Sequence, residues 1–285
     1  MGTLYLCPIF ESDSNHRYDT ADYRRIDPML GTEEDFRTLC REARCRGIRV
    51  MLDGVFNHTG NNSRYFNAQG FYPELGAAQS RESPYYSWYS FHPWPDDYDA
   101  WWGIKTLPAV QESTDSYRRF IIRDHDSVVR HWLRQGASGW RLDVADELPD
   151  DFIAEIRDAM EQENPDSFLL GEVWEDGSNK VAYSQRRRYL LGGQLDSVMN
   201  YPFRDAILGF LLGEHASLIM DRIETIVENY PPQVLRILMN HIGTHDTERA
   251  LTVLGGEPAG SRGREWQSAH TLSPEQRETG LERMR

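Results

Sequence analysis

The chain has 285 residues, of which 39% are hydrophobic, 12% aromatic and 27% charged, the make-up of a folded protein with room for one large domain or two ordinary ones. No apolar run reaches the roughly 18 residues of a bilayer span, so a membrane-spanning helix is not expected. A net charge of −14 repels phosphate and anionic lipid, which sets nucleic acid and membrane surfaces aside as partners.

Cys7, Cys40 and Cys45 are too few for a disulfide framework and form no C-x-x-C pair. They read as buried free thiols in a reducing compartment, which points to the cytoplasm.

In chain order, Thr3–Pro8 is a short apolar run expected as a buried strand. Thr32–Arg46 opens acidic and closes at Gly47, the signature of a helix. Ile48–Val55 is the next strand. Thr59–Asp115 then carries no period and is crowded with Tyr, Phe and Trp, and it is too long for an ordinary loop. It reads as a small inserted subdomain over the strand ends. Rings of this kind suit sugar faces, although most would also serve to fill the subdomain's own core.

Ser116–Gln135 has helical spacing through Phe120, Ile121, Val128, Val129 and Trp132. Gly139–Val144 is a strand, Pro149–Gln162 a helix, Phe168–Val173 and Leu195–Asn200 strands, Phe203–Asn229 one or two helices, and Arg236–Ile242 a last strand. Such alternation implies a parallel sheet, closed as a barrel or open and doubly wound. No G-x-G-x-x-G follows any strand, so the dinucleotide-binding version has no support.

Polar residues stand where buried strands should be apolar, and always at their C-terminal ends. Asp53, Asn57 and His58 close the second strand. Arg141 and Asp143 are two apart and share one strand face. Glu172 ends the fourth strand, and His241, His245 and Asp246 follow the sixth. In a barrel all these ends converge on one face. One buried Asp beside Arg is ordinarily a structural ion pair, but four such ends in register suit glycoside hydrolysis by paired carboxylates. Arg141 is expected to lower the pKa of Asp143 and keep it ionised as nucleophile. The acid must carry its proton to neutrality, and a buried strand end at Glu172 suits that task. Zinc hydrolysis would want H-x-H or H-E-x-x-H and a serine hydrolase G-x-S-x-G; none occurs.

These residues sit in longer motifs. YDTADYRRIDPMLGTEEDF, GIRVMLDGVFNHTG, GWRLDVADE, LLGEVWED and NHIGTHDTER follow one another at barrel spacing. In that order they resemble the α-amylase family of glycoside hydrolases over nearly the whole chain. SPYYSWY, DVADE and QLDSVMNYPFRDAI are most similar to its cyclomaltodextrinase, neopullulanase and maltogenic amylase group.

The resemblance implies an α/β fold, a (β/α)8 TIM barrel that is incomplete and holds strands 2 to 7. The barrel would comprise residues 1–58 and 116–285, with the aromatic subdomain at 59–115. It implies a retaining α-glycosidase acting on α-1,4 bonds of maltodextrins or cyclodextrins, with an α-glucan oligosaccharide as its partner. Asp143 matches the nucleophile, Glu172 the acid/base and Asp246 the third carboxylate. His58, Arg141 and His245 match residues that hold the sugar at the cleavage point, and Tyr18 matches a ring stacked beneath it. No cofactor is required. Asn57 matches a calcium ligand of true α-amylases, and the metal is left open. A homodimer is implied for longer members, which carry β-domains on both sides of the barrel. The family's M-P-K-L/F-N pattern reads Thr106-Leu107-Pro108-Ala109-Val110-Gln111 here. The alternative is a non-catalytic amylase-like fragment that binds sugar or a partner protein; such a member should have lost a carboxylate, and all three are present.

Overall fold

The first expected strand forms over Thr3–Tyr5 (β1) in the computed structural model, which describes residues 2–257 and 259–285. Contacts divide the chain into two units: one runs to Glu172 and includes Val181–Asp196, the other consists of Val173–Lys180 and Ser197–Arg285.

In the first unit, β1 is followed by an antiparallel hairpin of β2 (Phe10–Ser12) and β3 (Thr20–Ile26), then α1 (Glu33–Cys45) and β4 (Arg49–Gly54). Next come α2 (Asp115–Arg118), α3 (Val128–Arg134), β5 (Gly139–Leu142), α4 (Asp150–Glu163) and β6 (Phe168–Gly171). A small hairpin, β7 (Val181–Ala182) with β8 (Gln185–Arg186), completes the unit. Strands β1, β4, β5 and β6 lie side by side and parallel, in chain order. This is the wall of a (β/α)8 barrel, incomplete as expected.

Local chemistry fixes the parts. Thr32 caps α1 reciprocally with Asp35, whose backbone N–H donates to Thr32 Oγ1 (3.2 Å) while Thr32 N–H donates to Asp35 Oδ2 (2.8 Å). Phe36, Cys40 and Ala43 form the one buried stripe of that helix. Gly139 lets β5 approach β6, because a Cβ there would stand 2.1 Å from the Phe168 carbonyl oxygen. Trp132 and Trp140 are fully buried, and the Trp132 indole N–H donates to the Tyr23 carbonyl (2.8 Å).

The helix expected over Ser116–Gln135 is broken. A wide turn over Arg119–Arg123 ends at Asp124, whose extended backbone (ψ 151°) leaves the helix before Val128 restarts it. The Ile122 carbonyl freed by the break accepts from Ser127 Oγ (2.9 Å) and Arg130 Nε (3.3 Å). Residues 59–115 fold through short turns at Tyr86–Trp88 and Trp101–Gly103, with a bridge from His58 to Ala109 seating them at the end of β4. Many of their rings pack together, as Tyr65 with Trp88 (5.3 Å) and Phe66 with Tyr98 (4.6 Å). Of the three thiols, all free, only Cys40 is buried; Cys7 and Cys45 are exposed, contrary to expectation, because Cys45 ends its helix on the solvent side.

The second unit holds β9 (Ser197–Val198), α5 (Tyr201–Leu211), α6 (Ala216–Asn229), α7 (Pro232–Leu235), α8 (Ala250–Gly255), α9 (Arg264–Ala269) and α10 (Pro274–Arg283). The strand expected over Arg236–Ile242 shrinks to one parallel bridge, Met199 with Met239. Its flanking apolar residues Ile237 and Ile242 are 45% and 42% exposed, so packing holds no longer ladder there. Among the described residues no helix is long and apolar enough to cross a membrane.

Candidate active site

Parallel register sets up the site in the first unit. Asp53 on β4 stands directly opposite Arg141 on β5, and Leu142 opposite Gly171 on β6, so Asp143 and Glu172 follow at the same strand-end level. Arg141 is fully buried, and its guanidinium gathers three carboxylates. Nη1 donates to Asp53 Oδ1 (2.8 Å) and Asp143 Oδ1 (2.7 Å), and Nη2 lies 2.9 Å from Glu172 Oε2. Asp53 is also held by two phenols: Tyr5 and Tyr18 both donate to Oδ2, the latter at 3.0 Å. Burial, reinforced by Asp53, pushes both phenols up and keeps them donors.

The backbone bends sharply after Asp143. Val144 takes a left-handed conformation (φ 39°, ψ 57°), which is strained for a β-branched residue, and its N–H donates to Glu172 Oε2 (2.8 Å). One turn therefore ends the Asp143 strand and holds the Glu172 carboxylate. Arg187 grips the residues beyond. Its guanidinium donates to the carbonyls of Ala145 (3.4 Å), Asp146 (3.4 Å) and Leu148, and pairs with Asp150 (2.9 Å).

The expected lowering of Asp143 does not hold. Burial and the carboxylates of Asp53 and Glu172 outweigh Arg141 and hold Asp143 well above the usual carboxylate range. Three carboxylates thus face one cation.

His58 is buried at the end of β4, with Nε2 3.0 Å from the Tyr18 carbonyl oxygen, so that nitrogen carries the proton. Burial lowers its pKa to about 4 despite that carbonyl. Below 6.5 the unfolded chain binds a proton that the native state refuses, so stability should fall by about 3 kcal/mol between pH 6.5 and 4 through this group alone. His58→Gln keeps a donor for Tyr18 and should flatten that part of the stability profile, measured by denaturant unfolding across the range. An unchanged slope would remove His58 as its source.

His245 and Asp246 belong to the second unit, where His245 Nε2 lies 3.0 Å from Asp246 Oδ2. The Asp246 N–H donates to Thr244 Oγ1 (3.3 Å). In the same unit Trp174 stacks on Tyr201 (4.3 Å, 13°), and His241 meets that ring edge-on (4.6 Å).

For calcium, Asn57 is the family-matched donor. Its Oδ1 is buried without a partner and its amide donates to Glu147 Oε2 (3.3 Å). Glu112 lies near enough for the Glu147 carboxylate, after burial, to help raise its pKa to about 8. Among the described residues no group of three His, Cys, Asp or Glu side chains is placed to hold a metal.

Tyr5, Val144 and Arg187 escaped the reading of the sequence. Only Tyr5 left a signal, a hydroxyl within an apolar strand.

The sequence matches the family described as "Alpha amylase, catalytic domain" over residues 1–273. It is 40% identical to an amylopullulanase of Thermoanaerobacterium saccharolyticum over 285 residues, covering 90% of this chain and 22% of that protein. It is 38% identical to a cyclomaltodextrinase of Geobacillus thermopakistaniensis (strain MAS1) over 263 residues, covering 89% of this chain and 41% of that protein. The chain thus spans less than half the length of either relative. Among solved structures, the ligand-free cyclic α-maltosyl-(1→6)-maltose hydrolase from Arthrobacter globiformis superposes with a TM-score of 0.78 at 35% identity, over 90% of this chain and 56% of that one. Motifs, parallel sheet and strand-end carboxylates agree with these matches: the chain belongs to the α-amylase catalytic-domain family.

Proposed function

We propose that this protein is a retaining α-glycosidase that cleaves α-1,4-glucosidic bonds in maltodextrins and cyclodextrins. The observation that carries the reading is the convergence of Asp143 and Glu172 on one buried guanidinium at the strand ends. Asp143 attacks the anomeric carbon while Glu172 gives its proton to the departing glycosidic oxygen, forming a glycosyl ester and releasing the shortened glucan. Water then attacks the same carbon, yields its proton to Glu172 and expels Asp143, so two inversions restore the α configuration. Arg141 fixes one Asp143 oxygen and leaves Oδ2 to attack. Tyr18 and His58 line the sugar site, and the roles of His245 and Asp246 rest on their motif. The chemistry asks for no cofactor. Three free thiols support a cytoplasmic location.

Glu172→Gln separates the two steps. Loss of the acid should slow maltodextrin cleavage by about 10³-fold, but formation of the glycosyl ester from an activated aryl α-glucoside by less than about tenfold, since that leaving group needs little protonation. Initial rates on the natural glucan and burst kinetics on the aryl substrate make the comparison. Equal losses would remove Glu172 as proton donor.

A further inference from the structure

In the 59–115 segment Tyr65, Phe66, Trp88 and Tyr89 are buried, whereas Phe71 is 62% and Trp102 78% exposed. Outside that segment, Tyr183 on the β7–β8 turn is 70% exposed. Single exposed aromatics are common and need no explanation. Trp102 and Tyr183 share three further features. Each has a left-handed backbone, with φ of 50° in both cases, a conformation few non-glycine residues adopt. Both are tied to one carboxylate. The Trp102 indole N–H donates to Glu147 Oε1 (2.8 Å), and Glu147 lies close enough to the Tyr183 hydroxyl to add to the effect of burial in raising it.

The third feature is the anchor. Glu147 sits on the short turn Ala145–Glu147 that follows Asp143 and Val144. Arg187 clamps that turn through its carbonyls, and Tyr189 donates to Asp146 Oδ1 (2.6 Å). Trp102 is also backed by Trp101, stacked on it at 5.2 Å and 19°, and Trp101 lies 5.4 Å from the His58 ring. Each exposed ring is thus tethered at its polar edge to Glu147, on the turn that follows the proposed nucleophile.

We propose that Trp102 and Tyr183 form a subsite that holds a glucosyl unit of an α-glucan by stacking on its apolar face, with Glu147 fixing both rings. An aromatic face held in place against solvent loses little freedom on binding, and the C–H face of a glucose ring covers it without requiring a charge. The subsite rests on the α-glucan reading above and extends it: a chain long enough to pass the Asp143 turn gains contacts that a disaccharide lacks.

Titration calorimetry with maltoheptaose and maltose on the Glu172→Gln protein, which binds without appreciable turnover, tests both ideas separately. Trp102→Ala and Tyr183→Ala, introduced singly, should each weaken maltoheptaose binding about tenfold and leave maltose unchanged. Trp102→Phe should keep most of the affinity while removing a maltoheptaose-dependent change in tryptophan emission. Maltoheptaose binding unaltered in both alanine variants would overturn the subsite and leave the α-glucan reading standing. Failure of the parent protein to bind either sugar would overturn the reading and the subsite with it.

Discussion

Asn in place of Asp143 should leave a folded protein that no longer forms a covalent glycosyl ester, with maltodextrin turnover reduced by at least about 10³-fold. The amide keeps the shape of the side chain and an oxygen for Arg141 Nη1, now 2.7 Å from Oδ1, but lacks the anionic oxygen that attacks. Trapping with a fluorinated α-glucosyl donor, followed by peptide mass spectrometry, should label the Asp143 peptide in the parent and nothing in the variant. Label on any other peptide would end the assignment. The same substitution has a second, opposite effect. It removes one negative charge from a buried cluster in which burial, Asp53 and Glu172 already hold the Asp143 carboxyl high. The variant should therefore be more stable at neutral pH, by about 1–2 kcal/mol, the usual sense of the trade between stability and function. A loss of activity accompanied by lower stability would point to misfolding instead of a missing nucleophile.

That double effect was only half legible in the sequence. Polar residues closing apolar runs gave Asp53, Arg141, Asp143 and Glu172, because strand periodicity and the parallel order of a barrel wall together decide where such ends go. The structure puts these four together. The sign of the Asp143 shift was not legible, because it depends first on burial and then on Asp53, paired with Arg141 across 88 residues of sequence. A local reading sees Arg141 two residues away and predicts the reverse. Arg187 was hidden for a related reason. It lies in an arginine run with no period, and only the tertiary fold brings its guanidinium to the carbonyls of the Ala145–Leu148 turn.

Elements failed where local pattern and tertiary packing part company. Ser116–Gln135 keeps helical spacing throughout, yet Ser127 and Arg130 satisfy the Ile122 carbonyl and make a break cheap. The β2–β3 hairpin was not expected, since Thr20–Ile26 mixes charges with buried residues. Its order comes from Tyr23, whose hydroxyl donates to the Val55 carbonyl (2.6 Å), and from the Asp22–Arg64 pair (2.6 Å).

The guanidinium that organises the site should also be its greatest point of weakness. In an Arg141→Met protein, Asp53, Asp143 and Glu172 would remain buried with no cation, and breaking a buried pair in this way costs about 3–5 kcal/mol. For a chain of this size that is a fall in melting temperature of roughly 10 °C. The pH dependence follows from the direction of the Asp143 shift. A carboxyl whose native pKa is raised contributes stability that is complete below its unfolded value and is lost as pH rises through the native value. Removing Arg141 takes away the influence that lowered it, so the native state must hold protons still more tightly. The deficit of the variant should thus be smallest near pH 4 and grow toward pH 8. Adding Asp53→Asn removes one of the stranded charges while keeping an oxygen for Tyr5 and Tyr18, and it should recover part of the deficit at pH 8 and almost none at pH 4. Thermal melts of the three proteins across that range decide the matter. A deficit that grows on acidification, or a variant as stable as the parent at pH 8, would mean that Arg141 does not balance the carboxylates it touches.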